Sequence, residues 1–431
     1  MNDMAPINRP SQTARAPEGT PPLPGGERAV SLASASELGE RGEGVGPSPS
    51  QSGTPSPQPS PHRGEGVLRR VSDLADAGLI PAADIAALND VAARYVVAIT
   101  PAMADLIDPA DPDDPIARQF VPDARELKTT PDERVDPIGD DVHEVVPGLV
   151  HRYPDRVLLK LLTACVVYCR FCFRRETVGQ GEGLSPAALD AILAYIRAHP
   201  EVWEVIISGG DPLVLSPRRL SAVVADIAAV PHVRILRIHT RVPVVAPERV
   251  TSELIAAIKD SRLSTWVAVH ANHPRELTAE ARAALARLAD AGIALVSQTV
   301  FLKGINDNAE ILEELMRGFV EARVKPYYLH HPDMAPGTAH FRGKIEEGQA
   351  IVAALRGRLS GIAQPTYVLD IPDGYGKVPI GPTYVESDPE TGGITVRDTA
   401  GREHGYAEDG AAPARTASVI PVTGMSSEQA K

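Results

Sequence analysis

Cysteine is nearly absent from this chain. Its 431 residues include three, and all fall within the window "CVVYCRFC", as Cys165, Cys169 and Cys172. Three thiols so clustered cannot make a disulfide framework, and the pattern points to a reducing, cytoplasmic compartment. Long apolar runs are missing as well. No stretch approaches the ~18 residues of a membrane span, and "MNDMAPINRP" lacks the apolar core of a secretory signal. Positive charge is in deficit. A formal net charge of −13 argues against a general nucleic-acid binder, while leaving a cationic small molecule as a fitting ligand. Aromatics are scarce at 4%, yet hydrophobic residues reach 43%, enough for an ordinary core. The length suggests two domains, or one large domain with extensions.

Residues 1–66 are rich in Pro, Ser and Gly, as in "PSPSQSGTPSPQPSPHRGEGV". Such a segment cannot bury enough apolar surface to offset its ordering entropy, and it reads as a disordered tail. Residues 67–150 come next: from Val67 to about Leu106 apolar residues recur at spacings of three and four, interrupted by Pro81 and Pro101, and an acidic Pro-rich connection follows. This predicts an N-terminal helical region or arm. From about Val157 strand-like runs alternate with helical patterns: "VLLKLLT", "WEVIIS", "RILRIHT", "WVAVH", "ALVSQTVF" and "VKPYYLH". Ser185-Pro186 and Ser216-Pro217 read as N-caps followed by proline at the first helical position. The alternation predicts a parallel sheet with crossover helices. Six units are too few for a closed eight-fold barrel, so the expected core, residues 151–365, is an open α/β barrel of six units. A C-terminal segment at 366–400 and a flexible tail at 401–431 complete the expected layout.

The unusual polar residues gather after the strands, or near their ends: the cysteines, then "SGGDP", "TRVP", His270, Gln298 and "HHPD". That rim is the active-site face of parallel barrels, which favours an enzyme. Three readings fit the clustered thiols. A zinc site would need a fourth ligand such as His151 or His270, and C-x3-C-x2-C is not a usual zinc-knuckle spacing. Buried structural thiols would not cluster so exclusively. An iron–sulfur cluster remains the favoured reading. Cubanes usually take four cysteines, so three leave one iron open to a ligand, which suits a catalyst better than a simple electron carrier.

With C-x3-C-x2-C directly after the first strand of a βα chain, the sequence resembles the radical S-adenosylmethionine (SAM) superfamily. It resembles most closely the lysine 2,3-aminomutase family, through "HRYPDRVLLKLLTACVVYCRFCFRR", "SGGDPLVLS", "RVPVV", "NHP", "KGIND", "PYYLHHPD", "HFR" and "DIPDGYGKVPI" in collinear order from about His143 to Val385. The resemblance implies a (β/α)6 radical SAM partial barrel ending in a short C-terminal segment that carries a pyridoxal 5′-phosphate (PLP) lysine. It implies a [4Fe–4S] cluster on Cys165, Cys169 and Cys172. SAM would be held by Ser208, Gly209, Gly210 and Asp211, whose glycines would let main chain approach a ligand closely, and by His270 and Gln298. PLP would be held by Lys377, with Arg152 and Arg156 in its pocket. Arg174 would take the substrate carboxylate, and Asp333 and Asp370 its ε-ammonium.

The activity so implied is an isomerase reaction, L-lysine to β-lysine, by 5′-deoxyadenosyl-radical hydrogen abstraction and 1,2-amino migration. The partners implied are L-lysine and an electron donor such as flavodoxin or ferredoxin, with a homo-oligomer compatible and neither nucleic acid nor membrane involved. Three departures stand out. Asp373 and Tyr375 occupy a stretch the family makes richer in glycine. Free-lysine enzymes of the family carry extra cysteines for an intersubunit zinc site; here none is left, and Asn308 stands after "KGIND" where one would sit. Phe173 resembles relatives that act on lysine for elongation factor P modification, which is the alternative within the family, alongside an aminomutase for another amino acid. From other classes, an iron–sulfur electron-transfer or redox-sensing protein, or a zinc-holding interaction protein, would need neither Lys377 nor the aspartate pair.

Overall fold

Alternation decides the central strands. In Ile235–Thr240, Leu236 and Ile238 are fully buried towards the helices, while Arg237 and His239 line an internal cavity. The same two-sided logic recurs across one ten-stranded sheet, in which strands neighbour each other in chain order. They are β1 (Glu144–Val146), β2 (Leu149–Tyr153), β3 (Arg156–Leu162), β4 (Glu204–Gly209), β5 (Ile235–Thr240), β6 (Ser264–His270), β7 (Ala294–Val300), β8 (Lys325–His330), β9 (Thr366–Ile371) and β10 (Gly376–Pro379). The computed structural model describes residues 66–181, 183–388 and 393–407. The expected disordered tail therefore lies outside the described residues, apart from Gly66.

Strands β3 to β9 pair in parallel, and β1, β2 and β10 add antiparallel edges. Between successive parallel strands run the helices Pro186–Ala198, Pro217–Ala228, Ser252–Ala257, Ala279–Asp290, Ala309–Glu321 and Ile345–Arg358. Parallel neighbours require such crossovers, and an unreversed strand order curls the sheet into a barrel. β1 and β10 are the unpaired ends, so the barrel is open. All six expected strands and the six β/α units are present, with Ser185 and Ser216 as N-caps and prolines 186 and 217 following them.

The layout differs from expectation in three places. A seventh parallel strand, β9, follows the sixth unit, so the Lys377 segment is not an appendage: β9 and β10 continue the same sheet. β1 and the start of β2 fall inside the region expected to be helical. Beyond the barrel, Val385–Ser387, Ile394–Arg397 and Glu403–Tyr406 form a small antiparallel sheet, which carries ordered pairing past residue 401. Short strands of mixed polarity leave little periodic signal, whereas tertiary pairing satisfies their backbone groups.

The N-terminal arm joins the barrel through charge. The Glu126 carboxylate, fully buried, accepts from Arg170 Nε at 3.0 and 3.1 Å and Nη2 at 2.6 Å, and it also pairs with Arg175. Arg170 Nη1 donates to the Val96 carbonyl at 2.9 Å. Both arginines belong to the cysteine loop. Removing one member of a buried ion cluster leaves uncompensated charge. Glu126→Gln is therefore expected to cost about 3–5 kcal/mol of stability, read as a lowered denaturant midpoint under anaerobic conditions, while a surface change such as Glu386→Gln leaves the midpoint in place.

Candidate active site

A cavity of about 750 Å³ opens at the C-terminal ends of the parallel strands and runs into the barrel. Every residue that the resemblance assigned to cluster, SAM, PLP or substrate lines it: the three cysteines, Arg152, Arg156, Arg174, Ser208, Gly209, Gly210, Asp211, His270, Gln298, Asp333, Asp370 and Lys377.

The cysteine loop follows β3 and is locked to the turn after β4. Gly210 N–H donates to Leu162 O at 2.6 Å, and Asp211 N–H donates to Ala164 O at 2.9 Å. A Cβ on Gly210 would lie 2.2 Å from Ala164 O, and one on Gly209 would lie 2.5 Å from Leu162 O; Gly209 also has φ +102°. The glycines are thus required for close approach to the cysteine loop itself, a structural reason distinct from ligand approach. Asp211 is likewise committed inside the protein. Its carboxylate accepts from Thr240 Oγ1 and Arg241 N at 2.7 Å, from Leu213 N at 3.0 Å and from Val242 N at 3.2 Å. It fastens the end of β4 to the end of β5, so its side chain serves as a bracket and not as a free ligand contact.

Burial pushes the Cys165 thiol well up and the Cys172 thiol to about 11. Arg241 Nη1 donates to Cys169 Sγ at 2.8 Å. His270 Nε2 meets Asn272 Oδ1 at 3.1 Å, and burial, reinforced by the Arg241 charge, holds this imidazole neutral.

A second cluster forms around Asp140, which sequence reading passed over. Its Oδ1 accepts from Arg152 Nη2 at 3.1 Å and its Oδ2 from Arg174 Nη2 at 2.8 Å; Arg174 Nη1 reaches Ser208 Oγ at 3.4 Å. Burial raises the Asp140 carboxyl, but the two guanidiniums outweigh it and hold the group below the usual carboxylate range. Nothing in "IGDDVH" separates buried Asp140 from exposed Asp141. Arg156 stands apart from this cluster, paired with Asp155 at 2.7 Å and stacked 3.9 Å over the Tyr153 ring.

The third cluster is set by register. Lys377 on β10 lies directly opposite Asp370 on β9, and their side chains form an ion pair. His330 Nδ1 is 3.3 Å from Lys377 Nζ and 3.7 Å from Asp370 Oδ2. The Lys377 N–H donates to Tyr153 OH at 2.8 Å. Asp333 completes the group. Burial, and then the Asp370 charge, push its carboxyl up to about 8, whereas Lys377 and His330 overcome burial and keep Asp370 low. The turn before Lys377 packs on the Asp140 loop: a Cβ on Gly139 would lie 2.1 Å from Gly374 N, and His143 Nε2 meets Gly374 O at 2.8 Å. Asp373, a departure from glycine, takes φ 63° and pairs with Arg134; aspartate tolerates that left-handed conformation better than most residues.

Residues 159–316 match the Radical SAM superfamily, and residues 352–422 match the family described as Lysine-2,3-aminomutase. L-lysine 2,3-aminomutase of Clostridium subterminale is 44% identical over 292 residues, 68% of this chain and 70% of that one. The enzyme of the same name from Acetoanaerobium sticklandii is 42% identical, with the same coverage. Glutamate 2,3-aminomutase of Clostridioides difficile is 35% identical over 70% of this chain and 71% of its own. The chain belongs to the lysine 2,3-aminomutase family of radical SAM isomerases. Membership implies a [4Fe–4S] cluster and SAM.

The residues present fit such a cluster. Three thiols of one loop face a shared cavity with room beyond them, and each iron of a cubane needs its own sulfur. Among the described residues no three His, Cys, Asp or Glu side chains converge as ligands of a single ion. Nor is any described helix long and apolar enough to cross a membrane. Asn308 caps helix Ala309–Glu321 by accepting from Glu310 N at 2.8 Å and Ile311 N at 3.2 Å.

The glycine geometry makes a direct test. Gly210→Ala must displace the carbonyl of Ala164, next to Cys165. Iron bound per chain after anaerobic reconstitution is expected to fall severalfold, with the far-ultraviolet circular dichroism of the barrel kept.

Proposed function

We propose that this chain is an L-lysine 2,3-aminomutase, converting L-lysine to β-lysine with a [4Fe–4S] cluster on Cys165, Cys169 and Cys172, SAM, PLP on Lys377, and a one-electron donor such as flavodoxin or ferredoxin. The observation that carries the substrate assignment is the Asp333–Asp370 pair. Two largely enclosed carboxylates stand in the cavity, and one of them already holds an ammonium, that of Lys377. A buried cation is tolerated where carboxylates surround it, and a side-chain carboxylate would be repelled. A glutamate-specific site is therefore disfavoured, although a glutamate 2,3-aminomutase is among the relatives.

In this reading Arg174 receives the substrate carboxylate through its planar fork, held in orientation by Asp140 and Ser208. Arg152 and Arg156 attract the cofactor phosphate. Ser208, the main chain of Gly209 and Gly210, His270 and Gln298 border the SAM site, with Asp211 bracing it. PLP, when bound, supplies an electron sink for the migrating amino group. The chain's own work is placement: it fixes both charged ends of lysine and keeps water from a reactive centre. Lys377 can take up the cofactor only by giving up its ion pair, which leaves Asp370 free for the substrate's ε-ammonium. Asp370→Asn therefore disturbs cofactor and substrate together, and Asp333→Asn is the cleaner probe of substrate charge.

The test is anaerobic turnover of isotopically labelled L-lysine with SAM, PLP and reductant, with product identification; β-lysine is expected. Equal turnover of alanine or glutamate would overturn the lysine assignment. Asp333→Asn should lose roughly a hundredfold or more in kcat/KM for lysine, from about 3 kcal/mol of lost charge pairing, with SAM binding retained.

A pH dependence follows. Burial and the Asp370 charge favour the protonated form of Asp333 in the empty cavity, and an entering ammonium favours its anion. Lysine affinity should therefore rise with pH through the neutral range, because binding of the ammonium displaces the Asp333 proton. Calorimetry on the oxidised holoprotein reads this slope. Norleucine, which lacks the ε-ammonium, and the Asp333→Asn variant should both show it flattened.

A further inference from the structure

Arg241 closes β5, and only 5% of it is exposed. Its Nη1 donates to Cys169 Sγ at 2.8 Å, while Nη2 donates to Gln119 Oε1 and Glu276 Oε2, both at 2.6 Å. The guanidinium carbon lies 4.6 Å from the Phe120 ring centroid and 5.5 Å from that of Phe171. Its main-chain N–H is fixed by Asp211 at 2.7 Å. Glu276 is itself fully buried and bound by Gln119 Nε2 at 3.0 Å and by the N–H groups of Asn272 and His273, both at 2.9 Å. Asn272 Nδ2 donates to Gln119 Oε1 at 3.0 Å, closing the network. A full cation, rigidly held and shielded from water, thus touches one of the three thiols.

We propose that Arg241 is a positioning residue that holds Cys169 as a cluster ligand and raises the reduction potential of the cluster, with Glu276 moderating its charge. The inference rests on the reading that the three cysteines hold the [4Fe–4S] cluster. A cubane with three thiolates is already anionic before it accepts an electron, and reduction adds one more negative charge. A hydrogen-bonded cation at a ligating sulfur stabilises the reduced state more than the oxidised one, and low solvent access enlarges the effect. The Glu276 carboxylate, bound to the other arm of the same guanidinium, works against it. The neighbouring carboxylate and the Gln119 amide determine where the cation sits. Part of the cluster's electrostatic environment thereby comes from the N-terminal arm.

The test is an electron-paramagnetic-resonance redox titration of anaerobically reconstituted full-length chain, with iron and sulfide assayed in each sample. Arg241→Gln removes the charge, Arg241→Lys keeps it without the fork, and Glu276→Gln removes the opposing charge. The expected result is a lower midpoint for Arg241→Gln, a smaller downward shift for Arg241→Lys, and a higher midpoint for Glu276→Gln. A parent-like midpoint in Arg241→Gln overturns the proposal, as do equal shifts in the two arginine variants. If the arginine variants lose the cluster, Glu276→Gln decides alone, and a midpoint that fails to rise overturns the proposal. A parent chain that binds no iron would instead defeat the cluster reading on which the proposal stands, which separates the two failures.

Discussion

A carboxylate cut off from water must be neutralised, and at Glu126 that requirement organises the active end of the molecule. Arg170 and Arg175 meet it, and they flank Cys172 in the chain. An unpaired buried charge costs several kcal/mol, so the cysteine loop has little freedom to settle elsewhere. Glu276 imposes a similar demand on the opposite side, answered by Arg241, Gln119 and two backbone N–H groups. The cysteine loop is thus tied to both buried clusters, through Arg170 and Arg175 to Glu126 and through the Arg241 contact with Cys169 Sγ to Glu276. The residues supplied by the arm, Gln119 and Glu126, make it part of the foundation of the site, where periodicity alone suggested a helical arm.

Inside the cavity the charges are already paired. Asp140 satisfies Arg152 and Arg174 on one side; Asp370 satisfies Lys377 on the other, and its charge beside Asp333 favours the protonated form of that carboxyl. A low-dielectric space could not hold these groups bare. Each internal partner is therefore also a competitor that a ligand of matching charge must replace or join. A molecule bearing a carboxylate at one end and an ammonium at the other suits both clusters at once, which links the electrostatics of the empty site to the substrate proposed for it.

Much of the fold was legible because its signals are local. Two-residue alternation in "RILRIHT", and Ser-Pro caps ahead of the helices at 186 and 217, depend only on near neighbours. The C-x3-C-x2-C run and the collinear motifs likewise marked the cysteines, Lys377 and both aspartates as belonging to one site, and all of them line one cavity. β9 was not read from sequence, and its place in the sheet comes from pairing with β8 and β10. Asn308 illustrates a different limit: the resemblance suggested a departure there, and its geometry shows a helix cap.

The sequence by itself determined the six β/α units of the core, the clustering of thiols and the kind of chemistry they suit, because periodicity, capping and motif spacing act over a few residues. Only the tertiary structure decided what each polar group does. Asp211 became a bracket between strand ends, and Gly210 a contact surface for the cysteine loop. Asp140 became the shared partner of two arginines, and Lys377 the neighbour of Asp370. Each of these roles depends on which distant backbone segment arrives within hydrogen-bond reach, and that is fixed by sheet register and by the neutralisation of buried charge, neither of which a local stretch of sequence encodes.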